Sequence, residues 1–494
     1  MNRRTFIWRA GATSLGLTGR IALSQPPQPV AQLLELLEEA PRERTVRELA
    51  LSIRAGLRYE DLLTALTLAA VRDVQPYPDV GFKYHSVMVL RSIDATTRQL
   101  PAAERWLPIL WAADYFKETQ AQERAAGGWR MPASPPLRQG QLHGPQASED
   151  ARKAFVTAMD TWDRSGADAA VVRYAATARP AAVFSLLFPY GARDLRAIGH
   201  KAIAVSNAHH LISSLGSSQA EAILRSTVAA LQNSDSDADP AHHDWSPDRP
   251  GRRNRERLGA IPGNWRAGRD DPGARAELRQ SLYRVSEDDA GDVVVQLLRA
   301  GISPDAIWQV LFGTAAELIL HQPGIVQLHA QTTANALHYA FRVSEDVRTQ
   351  QLMLLQCAAF IAMFRHMAGG SAQDLDLATV DAVSPHHCGE GALQEIFEDL
   401  AAGERLSATR KTLGYLNSGG DPPLLIAAAR HHLVYNAVEP HDYKFAEAVF
   451  DNYAHTADSP WARRFLSAGM GYFKAPGKRR PQAIEEAMRL LPRA

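Results

Sequence analysis

From Val30 onward, apolar residues recur at three-and-four spacing, the period of a helix that buries one face. The stretch Val30-Ala31-Gln32-Leu33-Leu34-Glu35-Leu36-Leu37 opens the series, and residues 59–74, 81–93 and 100–117 continue it. After a long interruption the same period returns over 274–298, 304–321, 329–341, 348–367, 393–402, 422–435, 461–470 and 481–491. The one strand-like run, Asp292-Val293-Val294-Val295-Gln296-Leu297, passes without a turn residue into Leu298-Arg299 and reads as helix. The pattern predicts an all-α protein, a large irregular helical bundle or array of helix pairs, with no repeat at a fixed period.

Two segments lack the period. Residues 125–150 are rich in Gly, Pro, Gln and Ser, and residues 232–272 hold Asp-Ser-Asp-Ala-Asp-Pro followed by Arg252-Arg253-Asn254-Arg255. Both are expected to be long loop insertions. The second divides the chain into an N-terminal helical half, 30–231, and a C-terminal half, 273–494. Both halves are expected to share one core, because candidate site residues come from both.

Pro440 suits the first turn of a helix that runs inward through Phe445, Ala446, Ala448, Val449 and Phe450. His441 and Lys444 lie three apart, on one face of that helix. Two cations cannot both stay charged there once they leave water. One is neutral, solvated or chemically altered. Lys444 has three options: to deprotonate, to snorkel to solvent from the helix start, or to react with carbon dioxide and become a carbamate, an anionic oxygen ligand.

Three further histidines share this apolar helical context: His85 in Tyr84-His85-Ser86-Val87-Met88, His200 in Gly199-His200-Lys201-Ala202, and His329 in Leu328-His329-Ala330-Gln331. Small neighbours at 199, 202 and 330 let helices approach. Helical bundles build metal sites from one ligand per facing helix, and each such histidine is otherwise a hydrogen-bonded core residue. No H-e-x-x-H spacing selects among these readings. His210 and His432 are reserve ligands and His338 belongs to the core or to the ligands' surroundings. The pairs His242-His243 and His386-His387 belong on the surface. Asp442, Tyr84 and Asn335 are candidates to orient ligands or substrate.

Composition narrows the choices. Lysine plus arginine and aspartate plus glutamate both number 54, so nothing in the overall charge favours nucleic acid or an anionic membrane. Two cysteines exclude a thiolate zinc cluster and a disulfide framework, leaving any metal to nitrogen and oxygen ligands. No run past the N-terminus reaches the length of a membrane span. Residues 1–24 follow the order of a twin-arginine export signal: Arg3-Arg4, a weakly apolar stretch, then Ala22-Leu23-Ser24 before Gln25. The twin-arginine machinery and an exported, periplasmic or extracellular, location are therefore expected.

The run His441-Asp442-Tyr443-Lys444, with its apolar helix and Asp458-Ser459-Pro460, resembles the His-x-x-Lys region of the questin oxidase-like family. Leu328-His329-Ala330-Gln331-Thr332-Thr333 is similar to that family's Leu-His-x-Val-Thr segment. Gly199-His200-Lys201-Ala202-Ile203 is similar to its His-Gly-Leu-Ile segment, and the surroundings of His85 match an early family histidine. Asp442 and Tyr443 stand where the family has an apolar pair, and Gln331 where Val is common. The resemblance implies an all-α oxygenase for phenolic or quinonoid polyketides, with Baeyer–Villiger or ring-cleaving chemistry. It also implies a non-haem Fe(II) ion held by His85, His200, His329, His441 and a carboxylated Lys444, with dioxygen and a small aromatic molecule as substrates. Two other classes compete: an HD-type metal phosphohydrolase, suggested by the His441-Asp442 dipeptide, and a non-enzymatic exported helical scaffold or binding protein.

Overall fold

The computed structural model describes residues 26–77, 82–137, 146–234, 240–369, 377–474 and 479–491. Residues 1–24, where the export signal is expected, lie outside them. Among the described residues there is no β-strand, only an isolated bridge between Arg269 and Ile302. The fold is all-α, as the periodicity indicates. The run 292–297 lies inside the helix Ala290–Arg299.

One continuous apolar cluster extends from Val30 to Ala487 and takes residues from both sides of the 232–272 segment. At its centre the helix Ile325–Val343 packs along Val347–Ala368. On its other sides it receives His200–Leu215 and Pro440–Thr456. Pro440–Thr456 also packs against Leu90–Arg98, which continues from the short helix His85–Met88 through Val89. The helix Ile325–Val343 is therefore the hub that brings together segments from residue 85 to residue 456. Val347–Ala368 is long and apolar enough to cross a membrane by length and composition, but 78% of that stretch is buried inside the protein. It serves as a core helix.

Both insertions hold more structure than their composition suggests. Residues 249–257, inside the segment expected to be a loop, form the helix Arg249–Arg257. Its arginines conceal the helical period, since they meet acidic partners rather than apolar ones: Arg257 pairs with Asp292, Arg253 with Asp288, and Arg252 with Asp244. Buried Asn254 faces inward and donates to Gln356 at 2.7 Å. In the first insertion the helix Ala147–Asp160 begins before position 150. Residues 126–137 carry no helix, and the Met131 N–H bonds to the Arg72 carbonyl.

Candidate metal centre

Each of the four histidines sits near the N-terminus of a helix. His85 follows the turn Phe82–Tyr84 and begins His85–Met88; His200 begins His200–Leu215; His329 is the fifth residue of Ile325–Val343; His441 is the second residue of Pro440–Thr456. Helical side chains lean toward the N-terminus, so a histidine near the start of a helix reaches toward that end. Four such ends face one point. The Nε2 atoms of His85 and His441 are 2.8 Å apart, those of His200 and His85 3.2 Å, and those of His329 and His200 3.0 Å. One nitrogen from each ring falls within 4.8 Å of all the others. With metal–nitrogen bonds of about 2.1 Å, ligands at right angles lie about 3 Å apart and opposed ligands about 4.2 Å apart. The observed spacing could hold one shared ion.

The outer nitrogens decide where the protons lie. His200 Nδ1 is 2.8 Å from the Ala197 carbonyl, and His329 Nδ1 is 2.6 Å from the Ile325 carbonyl one turn earlier. A carbonyl only accepts, so both rings carry their proton on Nδ1 and turn a lone pair inward at Nε2. Burial pushes the pKa values of His85, His200 and His329 well below the usual imidazole range, with further lowering from Lys444 and from neighbouring histidines, His441 among them. Neutral rings with inward lone pairs cannot hydrogen-bond to each other. At 3.0 Å, His200 and His329 repel unless a cation lies between them. His441 orients its Nδ1 toward Glu439 Oε2 at 3.5 Å, the carboxylate–imidazole pairing that raises ligand basicity.

Lys444 does not snorkel. It is 3% exposed, and its Nζ is buried with no hydrogen-bond partner. Burial pulls its pKa down to about 7, and its charge is felt by all four histidines. It borders a cavity of about 20 Å³ whose wall also includes Thr332, Asn335, His210 and Tyr339. An unpaired buried ammonium is costly, which favours the neutral, nucleophilic amine over the charged form.

The position of His200 has its own support, which periodicity does not reveal. Ala197, Ile198 and Gly199 have φ of 51°, 43° and 84°, three successive left-handed residues. This turn aims the Ala197 carbonyl at His200 and the Ile198 carbonyl at Thr333 Oγ1, 3.3 Å away. On either side a buried ion network fixes the chain. Lys201 Nζ reaches Asp194 at 2.8 and 3.0 Å, and Arg196 forks onto Asp248 at 2.5 and 2.6 Å. Only the glycine before His200 hinted at this device.

The other candidates have different tasks. Tyr84 turns away and shares a hydrogen bond with Ser226 at 3.0 Å. Asp442 accepts the Val438 and Glu439 N–H groups as part of a capping box and does not belong to the converging group. Asn335 donates to Asn452. Neither reserve ligand joins the four: His210 stacks on Tyr339 at 3.8 Å, and His432 stacks on Phe397 at 4.8 Å. His338 lies among Trp308, Phe312 and Phe341 in the core. His242, His243, His386 and His387 are exposed.

Comparison with protein-family models, curated proteins and solved structures returned no match to this chain.

Proposed function

We propose that the protein is a non-haem iron(II)-dependent oxygenase acting on a phenolic or quinonoid aromatic compound, with a single metal held by His85, His200, His329, His441 and a carboxylated Lys444. One observation supports the reading: four imidazoles bring one ring nitrogen each to one point, near a buried amine that has no hydrogen-bond partner. Such a nitrogen-rich set suits a first-row divalent ion, and a bound ferrous ion would supply reactivity toward dioxygen. Carboxylation gives that ion an anionic ligand. The Nζ lone pair attacks the carbon of carbon dioxide, an N–C bond forms as one C–O π bond breaks, and the displaced N–H proton passes to solvent. The lysine then contributes a negative charge where its ammonium would have been expelled.

The protein's own groups account for the rest. His200 and His329 keep their Nδ1 protons on backbone carbonyls, which fixes ring orientation. Glu439 sets that of His441. Burial of His85, His200 and His329 at 5% exposure or less keeps water from the inner side, while His441 faces a chamber through which an aromatic molecule can approach. The reading includes export in folded form, suggested by residues 1–24 and suited to a metal acquired in the cytoplasm. Replacing both Arg3 and Arg4 by Lys should then retain the protein there.

The test is anaerobic loading with Fe(II) followed by oxygen-electrode measurement with polyhydroxylated naphthalenes and anthraquinones. Substrate-dependent oxygen uptake that disappears in His329→Ala is expected. Loaded protein that consumes no oxygen with any of them, or uptake that persists in the variant, would overturn the assignment. Phosphodiester hydrolysis lost in Asp442→Ala but retained in Lys444→Ala would favour the HD-type reading instead.

A further inference from the structure

Of the four imidazoles, His441 alone has a partly exposed ring edge, its side chain 13% accessible. It forms part of the wall of a chamber of about 230 Å³. Phe445 supplies an apolar face there, with Tyr472 edge-on at 5.1 Å and Phe473 at 6.1 Å. Two cations stand at the rim. The Arg405 guanidinium lies over the Tyr472 ring at 4.9 Å, and Lys474 follows Phe473 in the chain. Neither pairs with a carboxylate among the described residues. Two carboxylates also reach the chamber, Glu439 beside His441 and Asp442 on two backbone N–H groups, and Lys474 acts on both. The rim therefore sets two cations beside aromatic faces, a combination that recognises an anionic oxygen on an aromatic ring.

The chamber is small. Pockets for drug-sized ligands start at roughly 300 Å³, so about 230 Å³ holds one or two fused rings. A second cavity, of about 570 Å³, is also lined by His432. That cavity is bounded by Leu393, Phe397, Leu424 and Ala428, with Arg480 over the Tyr435 ring at 5.1 Å. The His432 ring is held in place by its stack on Phe397 and by Nε2, which donates to the Lys474 carbonyl at 2.8 Å. His432 thus lines both a charged space at His441 and a larger, more apolar one.

We infer that these cavities are the inner and outer chambers of one substrate cleft, and that His432 is the specificity-determining residue between them. On the reading above, the ring to be oxidised lies in the inner chamber against His441, with its anionic oxygen between Arg405 and Lys474. A third ring or an apolar extension reaches the outer chamber only where His432 gives way. The preferred substrate class is thus a one- or two-ring hydroxylated aromatic anion, and tricyclic quinones are held back by a single side chain.

Binding to zinc-loaded protein tests this without turnover, using 3-hydroxy-2-naphthoate as the two-ring probe and a trihydroxyanthraquinone as the three-ring probe, each titrated by fluorescence. The wild type should bind the naphthoate at least about tenfold more tightly, a difference of about 1.4 kcal/mol. His432→Ala should raise anthraquinone affinity about tenfold with little change for the naphthoate. His432→Phe keeps the ring and loses the bond to the Lys474 carbonyl, so it should retain the wild-type preference. Replacing both Arg405 and Lys474 by Gln should weaken both probes about tenfold. The inference falls if His432→Ala leaves the preference unchanged, if His432→Phe behaves like His432→Ala, or if the paired Gln variant binds normally. Should the chain take up no zinc yet show this pattern, the metal reading fails and the cleft stands. Should zinc bind without the pattern, the reverse holds.

Discussion

Gly199→Ala is the perturbation that tests most sharply how the fold holds a ligand. Gly199 has φ of 84°, and a Cβ built there would lie 2.0 Å from Thr333 Oγ1, 2.7 Å from its Cγ2 and 2.9 Å from its Cβ. The left-handed conformation alone costs an alanine about 1–2 kcal/mol, and overpacking against a core helix adds roughly 1–3 kcal/mol. The turn can relieve this only by moving the Ala197 carbonyl, which fixes the His200 ring, or by pushing away Ile325–Val343, which carries His329. Both displace ligands that lie 3.0 Å apart. Disturbing a ligand's supporting contacts typically lowers metal affinity 10–100-fold, and a loss in that range is expected in chelator competition, together with a lower melting temperature. Adding Thr333→Ala should recover part of the loss, since the 2.0 and 2.7 Å contacts vanish while the left-handed penalty and the 2.9 Å contact remain. If Gly199→Ala binds metal like the wild type, the turn does not position His200 and the reasoning is wrong.

Lys444→Met removes the buried amine at similar volume. Metal affinity should fall at least about tenfold, while the metal-free protein melts no lower than wild type, because an unpaired polar group has left the core. Metal uptake by the wild type should also depend on bicarbonate in the buffer, and that of Lys444→Met should not. Asp442→Ala loses the capping-box acceptor and should cost about 1 kcal/mol in urea unfolding with metal content unchanged. Acid should destabilise the fold through its buried imidazoles. His209 is pulled down to about 4 by burial, so between pH 6.5 and 4 the unfolded chain binds more protons and stability falls as pH falls, by up to about 1.4 kcal/mol per pH unit for that one residue. Urea unfolding of wild type and His209→Asn at pH 7, 6 and 5 should diverge steadily below pH 6.5.

The helices were legible because their buried faces repeat at a fixed period, and the four converging histidines stood out as polar residues inside such faces. Their convergence was not legible from spacing. His85 and His441 are 356 positions apart, and only the hub helix Ile325–Val343 with its neighbours brings them together. Apolar helical context selected His85, His200, His329 and His441 as candidates beside Lys444 without placing them together. Where polar contacts replace apolar ones, periodicity carries no signal. The arginine-rich helix Arg249–Arg257 is held by acidic partners, and the left-handed turn at Ala197 and Ile198 uses residues with no intrinsic preference for it. Asp442 looked like a candidate at the site, and is occupied as a helix cap. His432 was a reserve ligand, and instead lines two cavities.

We propose that His85, His200, His329 and His441, with Lys444, form one metal centre. Elemental analysis of protein loaded anaerobically with Fe(II) and freed of excess ion checks this. One ion per chain is expected, falling below a tenth of that in His200→Ala and His329→Ala variants whose helical circular dichroism is unchanged. Wild-type protein that is fully folded and retains no metal, or variants that retain as much as wild type, would contradict it.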